Sequence, residues 1–194
     1  MLDGIGGLVT LTTGNTDNDE CYLHATQECF LFAAGRPIIF ETRLKYTEAN
    51  TDDANVCCGL MDAVGANSIL DNGGGPAASY SGAVFFKVDG GTLWNCETSI
   101  GGTQTGTTLL SSANSLDGAN KTAGGGVFQV LRIEVDPTSA TSAAVSFYID
   151  GSLVKETTLT YTGATEMKPF VGVKAGGANA EVVTVDYIAA YQGR

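Results

Sequence analysis

Apolar and polar residues alternate one by one in several stretches of this chain, which is typical of β-strands with one buried face. The clearest stretch is 127–155, where Leu131, Ile133 and Val135 alternate with charged residues and the same period returns at 145–149. Asp150-Gly151 then interrupts the alternation with the residue pair that favours a two-residue type I′ turn. We therefore predict two antiparallel strands, a tight hairpin and the start of a third strand.

Several other segments show strand patterns. Residues 37–48 alternate between an apolar face and a charged face that carries Glu41, Arg43 and Lys45. Residues 56–61 are uniformly apolar, which predicts a strand buried on both faces. The remaining predicted strands are a short apolar strand at 8–11, a buried strand at 29–34, a hairpin formed by 83–88 and 93–96, and closing strands at 169–174 and 181–191.

Two segments lack this periodicity. Residues 64–82 are rich in Gly, Asn and Ser, which predicts a long loop around one short strand. Residues 101–126 are dominated by Thr, Ser, Gly and Asn, which predicts an extended loop or an excursion from the core. With 26 Gly against four Pro in 194 residues, the chain suits one all-β domain of short strands and tight turns. We predict a two-sheet antiparallel sandwich of about eleven to thirteen strands, with residues 1–20 as an N-terminal arm or edge strand and 21–194 as a single domain.

The charge balance narrows the choice of partners. The chain has 21 acidic and 10 basic residues, a net charge of −11, which disfavours nucleic acid and anionic membranes as partners. No transmembrane run and no signal peptide are visible, so we expect the chain to fold where it is made. The five cysteines are expected to be free thiols, with a Cys21–Cys29 disulfide as the alternative.

Several strand sequences together carry a resemblance to a known fold family. IIFETRLKY followed by CCGLMDA, the pair VLRIEVDP and VSFYIDGSLV, and the closing VVTVDYIAAYQ resemble the strands of concanavalin-A-like and laminin-G-like jelly rolls. This resemblance covers about residues 28–192 and implies a jelly-roll sandwich. More narrowly, the compact form resembles the head and decoration proteins of tailed bacteriophages, which implies binding to a capsid surface.

The sequence offers only an incomplete set of catalytic residues. Glycoside hydrolases of this sandwich class carry an E-x-D-x-x-E strand, and Glu134-Val135-Asp136 matches its first two acids, but Ser139 stands at the third position. His24 is the only histidine, and no G-x-S-x-G elbow is present. We therefore expect no enzymatic activity and assign no catalytic residue.

Metal binding and sugar binding each have candidate residues with a simpler structural interpretation. Asn15, Asp17 and Asp19 alternate like calcium ligands, but Glu20 and Thr26 replace the Gly and Glu that an EF-hand loop needs. Polar turns explain these residues and the acidic cluster of Asp52, Asp53 and Asp62, so no metal or cofactor is assigned. Trp94, Tyr80, Tyr148 and Tyr161 are candidates for stacking on sugars, although Trp94 lies in an apolar strand that favours core packing.

These observations lead to two functional expectations. The first is a non-enzymatic capsid decoration or cement protein on the virion surface, synthesised in the host cytoplasm. It would bind the major capsid protein, stabilise the head and form a homo-oligomer. The alternative is a lectin-like carbohydrate-binding module, which predicts exposed aromatic residues beside polar groups on a sheet face. A fully buried Trp94 would weaken this alternative.

Overall fold

The computed structural model describes residues 2–4 (backbone only), 6–48, 53–162 and 165–194, and the regular structure of these residues is entirely β-strand. No described segment forms a helix of the length and apolarity needed to cross a membrane. The strands are β1 (Leu2–Gly4), β2 (Leu8–Thr12), β3 (Glu20–His24), β4 (Phe30–Leu31), β5 (Ile38–Thr47), β6 (Ala54–Met61), β7 (Gly82–Lys87), β8 (Asn95–Ile100), β9 (Thr103–Leu109), β10 (Gln129–Pro137), β11 (Ser142–Ile149), β12 (Ser152–Thr160), β13 (Glu166–Ala175) and β14 (Val182–Gln192).

The strands form two antiparallel sheets that pack face to face. Sheet A has the order β1-β2-β14-β5-β10-β11-β12, and sheet B has the order β3-β13-β6-β7-β8-β9, with β4 also paired to β13. This arrangement confirms the predicted two-sheet sandwich. The N-terminal segment supplies β1 and β2 at one edge of sheet A. The division into residues 1–20 and 21–194 stays a prediction.

The hairpin at Asp150-Gly151 is confirmed. Both residues have positive φ angles, 50° and 80°, as a type I′ turn requires. Ile149 of β11 pairs with Ser152 of β12 across the turn, and two hydrogen bonds of 2.8 Å, from Asp150 N to Val130 O and from Val130 N to Asp150 Oδ1, tie the turn to β10. Strands β10 and β11 therefore align so that Leu131 lies opposite Ile149 and Arg132 opposite Tyr148.

The main core lies between the two sheets and is rich in aromatic side chains. Phe85 contacts Phe147 edge-on, with ring centroids 5.2 Å apart, and Trp94 packs edge-on against Tyr46 and Phe85. Trp94 is 0% exposed, so the expectation of core packing is confirmed. Such edge-to-face pairs stabilise a core beyond the area that they bury.

The outer face of sheet B is covered by residues 62–81, which we call the 62–81 loop. All eight residues of β6 are buried, because one face packs against sheet A and the other lies under this loop. This confirms the prediction of a doubly buried strand at 56–61. The apolar cluster between the loop and the sheet consists of Ile69 and Tyr80 from the loop and Cys57, Met61, Val84, Phe86 and Phe170 from the sheet.

A buried lysine fastens the 62–81 loop to sheet B. Lys174 on β13 is 1% exposed, and its Nζ donates to Ile69 O at 3.0 Å and to Asn67 Oδ1 at 3.1 Å. It also forms ion pairs with Asp71 and, at 3.5 Å, with Glu20. A buried ammonium requires such partners because its desolvation is costly. Lys174 therefore links β13, β3 and the loop.

Two sequence-based predictions of local structure are wrong. Residues 103–109, predicted as part of a loop, form β9, which pairs with β8 at the edge of sheet B. Its threonines are β-branched and fit a strand, and an edge position tolerates polar side chains on both faces. The predicted buried strand at 29–34 reduces to the two residues of β4, and Cys29 is exposed.

The two sheets end together at one side of the sandwich, where β9 of sheet B lies near β12 of sheet A. Neither strand has a further strand partner among the described residues. A groove of about 340 Å³ lies between them, lined by Ile100, Thr103, Thr105, Thr158, Thr160 and Thr162.

Candidate functional site

The outer face of sheet A forms an open polar surface. The strand register places Arg132 of β10 directly between Glu41 of β5 and Tyr148 of β11. On the other side of Glu41 the same row continues to Ala189 of β14. Because the side chains of Leu131 and Ile133 enter the core, the alternation of β10 directs Arg132 and Glu134 outward.

Arg132 is the electrostatic centre of this face. Its Nη2 forms an ion pair with Glu134, and its Nη1 lies 3.9 Å from Glu41 Oε2. The second distance is too long for a hydrogen bond, so Nη1 can donate to a ligand oxygen. The guanidinium carbon also lies 5.9 Å from the centroid of the Tyr148 ring, within the range of a cation–π contact.

Two tyrosines hydrogen-bond the carboxylates beside Arg132. Tyr187 Oη donates to Glu41 Oε1 at 2.7 Å, and Tyr148 Oη donates to Glu134 Oε2 at 3.3 Å. Burial, reinforced by the hydrogen bond to Glu41, raises the pKa of Tyr187 to about 12. Burial and the charge of Glu134 likewise raise the pKa of Tyr148. Both phenols therefore stay protonated at neutral pH and act as donors.

A bulge in β14 aims Tyr187 at this face. The register of β14 against β5 shifts between Val185 and Tyr187, and such a bulge redirects the side chains that follow it. Asp186, at the bulge, accepts a 2.7 Å hydrogen bond from Arg43 Nη1. Beyond the bulge, every second side chain of β14 lies on the outer face. Tyr187 and Tyr191 are two of these side chains, and Tyr191 is 65% exposed.

Two shallow concavities adjoin on this surface and share Glu41 and Arg132. One has a volume of about 440 Å³ and is lined by Glu41, Val130, Arg132, Glu134, Tyr148, Asp150 and Gly151. The other has a volume of about 510 Å³ and is lined by Ile39, Glu41, Arg132, Tyr187, Ala189 and Tyr191. Aromatic rings around a few convergent polar groups are the usual chemistry of ligand pockets. We call this combined surface the sheet A site.

The structure gives the hydrolase-like acids different surroundings. Glu134 belongs to the sheet A site, whereas Asp136 is exposed near the end of β10. Ser139 lies in the following turn, where its carbonyl accepts from Tyr161 Oη at 2.7 Å. The second carboxylate near Arg132 is Glu41, which comes from another strand. Sequence reasoning placed Glu41 on the charged face of its strand but missed its role, because the partnership depends on strand register.

The candidate metal ligands take part in turns. Asp19 Oδ2 accepts from Thr16 N at 3.2 Å, and Asp62 Oδ1 accepts from Ser81 N and Ala63 N, both at 2.9 Å. Asp52 lies outside the described residues. Within the described part of the chain, no three His, Cys, Asp or Glu side chains are grouped to hold a metal ion. The absence of a cofactor stays a prediction.

The remaining candidates lie apart from the sheet A site. His24 is exposed on β3, with Nδ1 2.9 Å from Ala25 O. Cys21 and Cys29 are free thiols, as are the other three cysteines. Of the aromatic residues considered for sugar stacking, Trp94, Tyr80 and Tyr161 are buried, and only Tyr148 reaches the open face. The aromatic residues that sequence reasoning missed are Tyr187 and Tyr191, whose spacing of four residues on β14, which places both on one face of a strand, is a usable signal.

A second polar cluster lies beside the 62–81 loop, on the outer face of sheet B. Glu97 is 3% exposed and accepts hydrogen bonds from Tyr80 Oη at 2.9 Å and Thr107 Oγ1 at 2.5 Å. Burial raises its pKa above the ordinary value of 4.5, although these hydrogen bonds act in the opposite direction. The ionised form of Glu97 is therefore disfavoured by folding.

We expect Glu97→Gln to change how stability depends on pH. A raised carboxyl pKa means that the folded state binds a proton more readily than the unfolded state. The free energy of unfolding therefore falls as the pH rises from 4.5 through the pKa of the folded state. Urea denaturation across this range should show a smaller fall in the variant. Equal slopes for the variant and the parent protein would contradict the expectation.

Comparisons with known proteins supply a fold relationship. No family model and no curated protein matches the sequence. Among solved structures, the metal-free carbohydrate-recognition domain of Emp46p superposes with a TM-score of 0.63 at 11% identity, covering 93% of this chain and 81% of that one. A legume lectin-like domain from Entamoeba histolytica gives 0.60 at 10% identity, with coverages of 96% and 84%.

A third match corrects the expectation of no enzymatic activity. The endo-β-1,4-glucuronan lyase of the fungus Trichoderma reesei superposes with a TM-score of 0.61 at 12% identity, covering 94% of this chain and 80% of that one. The expectation is wrong because the same architecture carries an enzyme as well as carbohydrate-recognition domains. These identities establish the fold alone. The chain is thus an all-β jelly roll of the legume-lectin-like, concanavalin-A-like type.

Proposed function

We propose that this chain is a carbohydrate-binding domain that holds a glycan on the sheet A site. The observation that carries the proposal is the pair of adjoining concavities joined by Glu41 and Arg132. Two adjoining concavities that share polar residues suit an extended ligand with repeated polar groups. Carbohydrate-recognition domains of the same fold support this class of ligand by analogy.

The chemistry of the site fits a sugar ring. Tyr148, Tyr187 and Tyr191 present amphipathic rings, against which the apolar face of a pyranose can pack. Glu41 and Glu134 accept hydrogen bonds, and the Nη1 of Arg132 donates them, so both kinds of hydroxyl contact are available. Burial of Trp94, Tyr80 and Tyr161 removes three of the four aromatic residues that the sequence offered for sugar stacking. The fourth, Tyr148, lies on the sheet A site with Tyr187 and Tyr191.

We expect Tyr148→Ala to weaken glycan binding by about tenfold or more, the cost of a central aromatic contact. A glycan array screened with the intact protein identifies the ligand, and calorimetry compares the variants. Tyr148→Phe keeps the ring and should retain most of the affinity. Thr160→Ala, in the groove between β9 and β12, serves as an off-site control.

The outcomes separate binding at the sheet A site from other behaviour. No ligand on the array, or equal losses in Tyr148→Ala and Thr160→Ala, would overturn the proposal. The bound glycans are also assayed for chain cleavage, because a lyase shares the fold. Cleavage that Tyr148→Ala abolishes would extend the proposal from binding to catalysis.

The capsid-decoration function is the more specific expectation that the sequence raised. None of the structures named above is a virion protein, and no described contact favours that function over glycan binding. Its partner, the major capsid protein, its homo-oligomeric state and its location on the virion surface stay predictions. The expected absence of nucleic-acid and membrane binding stays a prediction as well.

A further inference from the structure

We propose that the glycan held on the sheet A site carries free amino groups, as a polymer of unacetylated glucosamine does. This inference rests on the proposed function and specifies its ligand class. It is carried by the charge of the concavity around Tyr148, together with the aromatic ring and the paired state of Arg132.

The concavity around Tyr148 is acidic. Its lining includes three carboxylates, from Glu41, Glu134 and Asp150, and a single cation, Arg132. Arg132 is already in an ion pair with Glu134. The lining therefore has more negative charge than its own cation neutralises, and a cationic group on the ligand would complement it.

The Tyr148 ring strengthens the case for an amine over a neutral hydroxyl. Arg132 lies 5.9 Å from the ring centroid, at the outer limit of a cation–π contact. An ammonium group that enters the concavity can contact the aromatic ring and a carboxylate together. An N-acetyl group in the same place lacks the charge and adds bulk.

Long-range electrostatics act in the same direction. The chain has a net charge of −11, so its field attracts a polycationic chain and repels polyuronates. This charge alone would attract any polycation, so the site-specific part must be separated from it by experiment. Binding at the concavity should depend on its own carboxylates, because they lie next to the Tyr148 ring in one lining.

The test compares three oligomers of equal length by calorimetry with the intact protein at mildly acidic pH. The probes are the hexamers of β-1,4-linked glucosamine, N-acetylglucosamine and glucose. We expect the glucosamine hexamer to bind at least about tenfold more tightly than the other two, the effect of one charge-assisted contact. Its affinity should fall as salt approaches about 1 M, where the Debye length is about 3 Å.

Charge-matched variants distinguish the site from the general field. Glu134→Gln removes one negative charge from the concavity and should weaken glucosamine-hexamer binding by about tenfold. Asp17→Asn removes one from an exposed position in the turn between β2 and β3 and should leave the affinity within about twofold. Equal losses in the two variants would overturn the inference.

The probes also separate this inference from the proposed function. The N-acetylglucosamine or glucose hexamer could bind as tightly as the glucosamine hexamer. That result would overturn the inference and leave glycan binding in place. If none of the three hexamers bound while other glycans on the array did, the inference would again be overturned and glycan binding would stand. No binding to the hexamers or to the array would overturn both.

Discussion

Trp94→Ala is expected to lower the free energy of unfolding by about 3–5 kcal/mol, the range for removing a fully buried aromatic side chain. Trp94 is 0% exposed and contacts Tyr46 and Phe85 edge-on. Its Nε1 also donates to Gln129 Oε1 at 3.0 Å. The substitution leaves a large cavity between the sheets and breaks this hydrogen bond. This loss is a large part of the total free energy of unfolding of a domain, which is about 5–15 kcal/mol.

The measurement is urea denaturation followed by far-ultraviolet circular dichroism, because Trp94 is the only tryptophan and the variant loses its fluorescence. Trp94→Phe is the matched variant, because it keeps an aromatic ring and removes the indole donor. It should cost less than Trp94→Ala. A loss below about 1 kcal/mol in Trp94→Ala would contradict full burial at this position. If that variant fails to fold, the smaller loss expected in Trp94→Phe remains measurable.

Lys174→Met is expected to have the second largest effect, near the lower end of the range of about 3–5 kcal/mol for breaking a buried ion pair. The ammonium is buried, but its partner Asp71 is 49% exposed in its side chain, so water can partly solvate the carboxylate that remains. The loss should be concentrated in the 62–81 loop, because Lys174 also donates to Asn67 and Ile69 within it.

Two measurements test this expectation. Urea denaturation gives the loss in stability. Hydrogen exchange compares Lys174→Met with the parent protein, and the increase in exchange rate should be larger in the 62–81 loop than in β10 and β11. Lys168→Met, on the same strand, is the control. Lys168 pairs with Glu28 at 3.6 Å, and the Glu28 side chain is 41% exposed, so this control should cost no more than about 1 kcal/mol. Equal losses, or unchanged exchange in the loop, would contradict the structural role of Lys174.

The strands that could be predicted from the sequence are those with a clear local signal. β10 and β11 show a two-residue period, and Asp150-Gly151 has the backbone preference of a tight turn, so the hairpin of β11 and β12 follows from adjacent residues. β9 could not be predicted in this way. Its composition of Thr, Gln and Gly suits a loop equally well, and it becomes a strand only because β8 offers a free edge.

The sheet A site was only partly predictable for the same physical reason. The alternation in β5 and β10 correctly places Glu41 and Arg132 on outward faces. Their contact depends on the register between two strands distant in sequence, which no local pattern specifies. The position of Tyr187 depends in addition on the bulge in β14. Trp94 was a candidate for stacking on sugars, but it is buried and packs in the core.

The threonine-lined groove between β9 and β12 affects the behaviour of the protein at high concentration. Free strand edges are templates on which chains can stack into aggregates. Exposed hydroxyl groups at Thr103, Thr105, Thr158 and Thr160 keep this edge polar, and the net charge of −11 repels neighbouring molecules. Replacing these threonines by valine would preserve strand propensity while making the edge apolar, which is the pattern of an aggregation-prone edge strand.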